Sequence, residues 1–365
     1  MLRGSRMNRH AKTTKLAATV ALLLLPLLLQ AFGDHWVRIA DICLMYVMMA
    51  LGMNIVVGYA GLLDLGYVAF YAVGAYLFAL LTSQHLPETF AWIATMFPAG
   101  LSTPWWFTLP LAALLAAFFG ILLGAPTLRL RGDYLAIVTL GFGEIVRIFI
   151  NNLGSPINIT NGAQGLGQID SIVIFSVDLG KRLTLFGYEI SSVTLYYYLF
   201  LALTVLTVII GYRLQDSRIG RAWMAIRDDE VAATAMGINT RNLKLLAFGM
   251  GASFGGIAGA LFASFQGFVS PESFSLQESV LIVAMVVLGG MGHIPGVILG
   301  AVLLTALPEM LRYIVGPLQT MTDGRLDAGI LRQLLIALAM ISAMLLRPRG
   351  LWPAPQHGKS LLRDQ

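Results

Sequence analysis

"LLAFGMGASFGGIAGALFASF", residues 245–265, has no charged side chain and is as long as the ~20 apolar residues that cross a bilayer's hydrocarbon core. Small residues return along it at every fourth position: Ala247, Gly251, Gly255, Gly259 and Ala263, with Gly267 just beyond. That spacing keeps them on nearly one helix face. In lipid, a face of small residues lets helix backbones approach closely. The stretch therefore predicts a membrane-spanning helix packed tightly on its neighbours.

The rest of the chain agrees with that solvent. Of 365 residues, 57% are apolar and only 12% charged, about half the charged share of a soluble domain. Hydropathy predicts about ten spans: Leu16–Phe32, Ile39–Val57, Leu65–Leu81, Trp105–Ala125, Tyr134–Ile150, Val193–Tyr212, Leu245–Phe265, Leu276–Leu288, Val297–Ile314 and Ile330–Leu346. The eighth is short, and Gly289, Gly290 and Gly292 follow at once, as at a broken or partial helix. Gly292, Gly296 and Gly300, and the pair Gly120 and Gly124, repeat the four-residue spacing. Most of these glycines are expected to serve packing alone. The expected fold is all-α: a polytopic integral membrane helix bundle with a small irregular or β-hairpin-like periplasmic segment.

Basic residues set the orientation. Arg3, Arg6, Arg9, Lys12 and Lys15 precede "LAATVALLLLPLLLQAFG" without a convincing cleavage site, which reads as an uncleaved signal-anchor. With that tail cytoplasmic, alternation also puts Arg129, Arg131, the cluster Arg213–Lys244, Arg347 and Arg349 inside. The predicted order is a basic cytoplasmic tail, 1–15, a transmembrane domain, 16–346, and a cytoplasmic tail, 347–365. Within the domain, 151–192 is periplasmic and 213–244 is a cytoplasmic loop. The outer segment, rich in Asn, Gly and Ser, reads as turns followed by two short strands with a turn at Asp178–Arg182. It is either a connecting loop or a platform for an external partner.

Few ionisable residues enter the spans, where each costs roughly 2.5–3.5 kcal/mol on the lenient insertion scale. Asn54, Asp64, Glu144 and Glu278 are the candidates for a translocation path. Asn54 and Asp64 flank "GYAGLLDLG", irregular backbone that lines a cavity or forms a short cytoplasmic turn with Asp64 as N-cap of the third span. Glu144 and Arg147 form an i, i+3 pair. No proton relay, selectivity filter, metal spacing or catalytic motif appears. "HGKS" near the C-terminus lacks the P-loop's first glycine, since Pro353 occupies that place. The chain is expected to hold no catalytic residue, metal or cofactor, and to bind no nucleic acid; its basic residues sit beside spans and answer to lipid.

Charge gathers instead in "GRAWMAIRDDEVAATAMGI", residues 220–238. Asp228 or Asp229 can cap a helix, Val231–Met236 favours one, and Gly237 is a natural stop. A helix of about two turns is unstable alone and must be held by neighbours. Ala232, Ala233 and Met236 are expected to share one face. Such a helix could simply lie at the lipid interface.

A more specific likeness is present. Glu230, Ala232, Ala233 and Gly237 resemble the cytoplasmic E-A-A-x-x-x-G loop of ABC importer permeases, departing from it by the inserted Val231. "GYAGLLDLGYVAFYAVGAYL", "LRLRGDYLAIVTLGFGEIVRI", "TNGAQGL", "SRIGRAWMAIRDDEVAATAMGIN", "LKLLAFGMGASFGGIAGALFA" and "GGMGHIPGVILGAVLL" occur in the family's order from about Asn54 to Glu309. Together they make the chain similar to the LivM-type permeases of branched-chain amino acid ABC importers. The resemblance implies a bacterial inner-membrane subunit with both termini cytoplasmic. Its implied partners are two ABC ATPase subunits, a second permease of the LivH type and a periplasmic binding protein. ATP hydrolysis would reside on the ATPases. Arg218, Gly220, Arg221, Arg227, Glu230, Ala232, Ala233 and Gly237 would form the ATPase-coupling loop. Transport would proceed by alternating access, with leucine, isoleucine or valine as cargo. Permeases for urea or short amides resemble the same pattern, and an ion-driven secondary transporter is the rival from another class.

Overall fold

A computed structural model describes residues 21–97, 101–128, 130, 132–185, 188–321, 328–347 and 350–352. The basic tail, Arg129, Arg131, Arg349 and most of the C-terminal tail lie outside the described residues, and so do the expectations placed on them.

Each of the ten predicted apolar segments coincides with a helix. They are α1 (Ala21–Phe32), α2 (Asp34–Met53), α3 (Val68–Thr82), α6 (Trp105–Thr127), α7 (Asp133–Asn152), α8 (Ser192–Gln215), α11 (Thr240–Gln266), α12 (Leu276–Gly289), α13 (Ile294–Met321) and α14 (Ala328–Leu346). α2 runs on into a π-helical turn, Asn54–Tyr59. Five are long and apolar enough to cross a membrane: α2 with its π-turn, α6, α8, α11 and α13. α1, α3 and α12 are apolar but shorter. α7 has the length but carries Asp133, Glu144 and Arg147. Among the described residues there are also four shorter α-helices: α4 (His85–Thr89), α5 (Ala91–Met96), α9 (Arg218–Asp228) and α10 (Glu230–Ala235).

α11 is the hub of the bundle, packed against α6, α3 and α2. Its small-residue face explains why. A β-carbon on Gly256 would lie 2.6 Å from the carbonyl of Ala112 in α6, and one on Gly74 of α3 would lie 2.6 Å from the Cα of Gly256. Backbone thus meets backbone across the α3–α11–α6 contact, and side chains larger than hydrogen have no place there. Gly120 meets Ala252 and Phe248 in the same way. Gly251 faces Val56 and Gly52, and Gly255 faces Tyr67 and Phe70. In α13, Gly296 and Gly300 abut Gly289 at the end of α12. Gly292 departs from the expected stripe: it lies in the turn before α13 at φ +82°, not in the helix.

The polar connections collect at two ends. At one, Tyr59 reaches Gln215 and the amide of Trp352 meets the carbonyl of Gly289. At the other, Asp170 pairs with the end of α3 at Thr82, Leu166 bridges Val269, and Arg147 faces Glu272. This second end holds four strands, β1 (Val173–Ile174), β2 (Val177–Asp178), β3 (Leu183–Leu185) and β4 (Tyr188–Ile190). They form two antiparallel hairpins, β1–β2 and β3–β4. The expected single hairpin turning at Asp178–Arg182 is corrected: that turn joins two hairpins. The reversal within the first falls at Phe175 and Ser176, both at positive φ. Nothing in their side chains announces a turn, so alternation alone misplaced it.

Candidate functional site: the loop between α8 and α11

The loop begins where Ser217 caps α9, its Oγ accepting from the Gly220 amide at 3.1 Å. Gly220 lies so close to the end of α8 that a β-carbon would fall 2.8 Å from the Gln215 carbonyl. Arg221 folds back, Nη1 donating to the carbonyl of Asp216 at 2.6 Å. α9 turns Trp223 and Ile226 inward. Trp223 is completely buried, and its indole N–H donates to the Leu243 carbonyl at 2.7 Å, fastening α9 to the first turn of α11. A buried indole needs such a partner.

α10 is closed at both ends by its own sequence. Asp229 caps it, its carboxylate accepting from the amides of Val231 at 2.8 Å and Ala232 at 3.0 Å. At the far end the amide of Ile238 donates to the Ala233 carbonyl and that of Gly237 to Thr234, with Gly237 at φ +83°. That is a Schellman stop, which favours glycine at the left-handed position. Two tertiary ties hold the helix down. Ala233 is buried among Trp223, Tyr59, Leu62 and Phe248. Glu230 pairs with Lys244 of α11 at 2.5 Å, and the Lys244 side chain is only 10% exposed. The expected shared face is corrected: Ala233 turns in alone, while Ala232 and Met236 turn out. Met236 is 83% and Val231 71% exposed, so the outer surface of this short helix is apolar. Beside it runs a groove of about 580 Å³ bounded by Pro126, Leu128, Glu230, Arg241 and Lys244. Arg218 is exposed, and Arg227 donates from Nη1 to the carbonyl of Gly58 in the π-turn.

The four polar residues singled out within the spans occupy four separate contacts. Asn54 accepts from the Gly292 amide at 2.8 Å. Asp64 is buried and accepts from the Gly66 amide at 2.9 Å. It does not cap α3, as expected from its place in the sequence. The first amide of that helix, Val68, donates instead to the hydroxyl of Ser279 in α12 at 3.0 Å. Glu144 pairs with Arg147 at 2.9 Å. Glu278 accepts from the Tyr46 hydroxyl at 2.6 Å. Ser279 and Trp223 are structural partners that local sequence reasoning missed; a lone serine in an apolar helix gives little signal.

At the opposite end, Asp178 organises the first hairpin. Burial pushes its carboxyl up, but the Ser171 hydroxyl, the Gly180 amide and Lys181 together hold it below the usual carboxylate range.

The bundle of apolar helices, with a capped helix at one polar end, is that of a helical membrane protein. The chain belongs to the family described as branched-chain amino acid transport system / permease component, whose profile matches residues 37–345. It is 43% identical over 329 residues to the high-affinity branched-chain amino acid transport system permease protein LivM of Escherichia coli K12, covering 87% of this chain and 70% of that protein. It is 27% identical over 270 residues to the LivH permease of Salmonella typhimurium, covering 71% of this chain and 79% of the relative. A probable LivM of Methanocaldococcus jannaschii is 26% identical over 248 residues, covering 67% of this chain and 68% of the relative. No solved structure matches the chain.

Proposed function

We propose that this chain is a permease subunit of an ATP-driven importer of branched-chain amino acids, coupled to separate ATPases through α10. The observation that carries the coupling role is the exposure of Val231 and Met236 on a helix whose outer face packs on no other part of the bundle among the described residues. Such a helix is stiff because both ends are capped and because Ala233 and Glu230 are anchored. A push on its outer face is passed to Trp223 and the start of α11 without being absorbed by fraying. Family membership supplies the cargo class, and its two kinds of relative supply a second, LivH-type permease as the partner across which substrate passes. A periplasmic binding protein would deliver that substrate to the end that carries the two hairpins.

In this reading all ten helices traverse or enter the bilayer, both termini are cytoplasmic, residues 213–244 face the ATPases and 151–192 face the binding protein. The domain limits given above stand on the same footing. Asn54 and Asp64, both buried, line the path only if conformational change exposes them, whereas Glu144 and Glu278 are already half-buried.

The test is co-expression with the ATPases, partner permease and binding protein, followed by capture on a tag and uptake by proteoliposomes. Wild type should retain two ATPase subunits and accumulate leucine only with ATP. Met236→Asp should keep the chain folded, within about 0.5 kcal/mol as for most exposed positions, yet release the ATPases. Accumulation by the chain alone under an ion gradient would instead establish a secondary transporter, and preference for urea over leucine would move the cargo class.

A further inference from the structure

Three glycines from two distant segments crowd around one arginine. Arg227 lies in the last turn of α9 and donates from Nη1 to the carbonyl of Gly58, in the π-turn that ends α2. A β-carbon on Gly61 would lie 2.9 Å from the Arg227 Cγ, and one on Gly292 would lie 3.1 Å from Nη1. Gly58 has no spare room either: its β-carbon would fall 2.7 Å from the Gly292 amide nitrogen. That same amide is held by Asn54 at 2.8 Å. Four pieces of the molecule therefore meet along one arginine side chain: α9, which carries it, the irregular stretch after α2 at its aliphatic stem, and the end of α2 and the turn between α12 and α13 at its guanidinium.

The chemistry of the contact is specific. Carbonyls at a helix C-terminus carry partial negative charge and are left without intrahelical donors. The last turn of α2 contains no basic residue of its own. Arg227 supplies the missing cation from another element, through a charge-assisted hydrogen bond. The receiving carbonyl sits in a π-turn, a distortion that proteins place mostly at functional sites. α10 itself is tied to α11 by Glu230 with Lys244, while Ala233 joins an apolar cluster that includes Tyr59 of the π-turn and Phe248 of α11. Arg227 adds a directed polar attachment that leads toward α2 and α12–α13.

We propose that Arg227, although exposed along part of its side chain, is a positioning residue, a strut that carries displacement of α9 and α10 into the π-turn of α2 and the α12–α13 turn. It acts on the transport cycle through those elements and makes no contact with an ATPase. The inference rests on the importer reading for its functional half, while the strut is a property of this chain alone.

Amide hydrogen exchange on the solubilised chain tests the strut. Arg227→Ala should speed exchange at residues 55–62 and 290–293, with Arg227→Lys between it and wild type. Unchanged exchange there overturns the proposal. In the assembled transporter, Arg227→Ala should retain its ATPase subunits while uptake driven by the binding protein falls about tenfold or more, the scale of a typical coupling free energy. Loss of the ATPases from the Arg227→Ala complex would assign the residue to docking and overturn the strut, as would wild-type uptake. A wild-type chain that captured no ATPase would sink the importer reading, and the exchange measurement would still decide the strut.

Discussion

The two polar ends of the bundle are built on opposite principles. The loop between α8 and α11 is helical and capped by its own side chains: Ser217 for α9, Asp229 and Gly237 for α10. The segment between α7 and α8 has strands of two or three residues, and distant partners hold it down: Leu166 pairs with Val269, and the Asp170 amide with Thr82. A self-capped helix moves as one piece when pushed. A strapped set of hairpins keeps its shape only while its straps hold. The proposed function uses that difference, with force received at the first end and a partner met at the second.

Trp223→Ala should break this contrast most severely. Truncating a completely buried tryptophan costs about 3–5 kcal/mol, and here it also removes the indole hydrogen bond that fastens α9 to the Leu243 carbonyl of α11. The midpoint of thermal unfolding should fall, and protease should cut within α9 and α10 first. At the opposite end, Leu166→Ala removes a side chain only 1% exposed. A loss of about 2–5 kcal/mol should appear as faster exchange at the paired amides of residues 166 and 269, with the α9–α10 amides unmoved. Response at both ends would mean that they are one cooperative unit.

Asp229→Ala sharpens the comparison. Loss of an N-cap costs about 1 kcal/mol, confined to α10 if that helix is locally determined, and exchange at Val231 and Ala232 reads it. The smallest effect is set by pH. Asp178 has a lowered pKa in the fold, so its contribution is whole well above the ordinary aspartate value of about 3.9. It fades as pH falls through that value and is gone below the depressed one. The first hairpin should therefore loosen under acid while staying unchanged at neutral pH, and Asp178→Asn should abolish the dependence.

Much of this architecture was legible because its causes are local. Hydropathy placed a helix at each of ten segments, and the four-residue spacing of Gly251, Gly255 and Gly259 marked the face that α11 turns to α2 and α3, though not the row of Phe248, Ala252 and Gly256 that meets α6. Asp229 and Gly237 bounded α10 because cap chemistry acts within one turn. Asp64 misled for the complementary reason. Its position just before α3 invites a capping role, yet the cap comes from Ser279, 211 residues away. Ala233 likewise could not be separated from Ala232 until Trp223 occupied the space beneath it.

Hydropathy, small-residue spacing and end-capping chemistry belong to the sequence by itself, since each acts within a turn or two of helix. They determined that the chain is a helical membrane protein carrying a short, stiff helix in its charged loop. Only the tertiary structure decided that Arg227 points at Gly58, that Ala233 turns in while Met236 turns out, and that the segment between α7 and α8 folds as two hairpins. Those outcomes depend on which surfaces meet across long stretches of chain, and side chains far apart in sequence do not announce their partners.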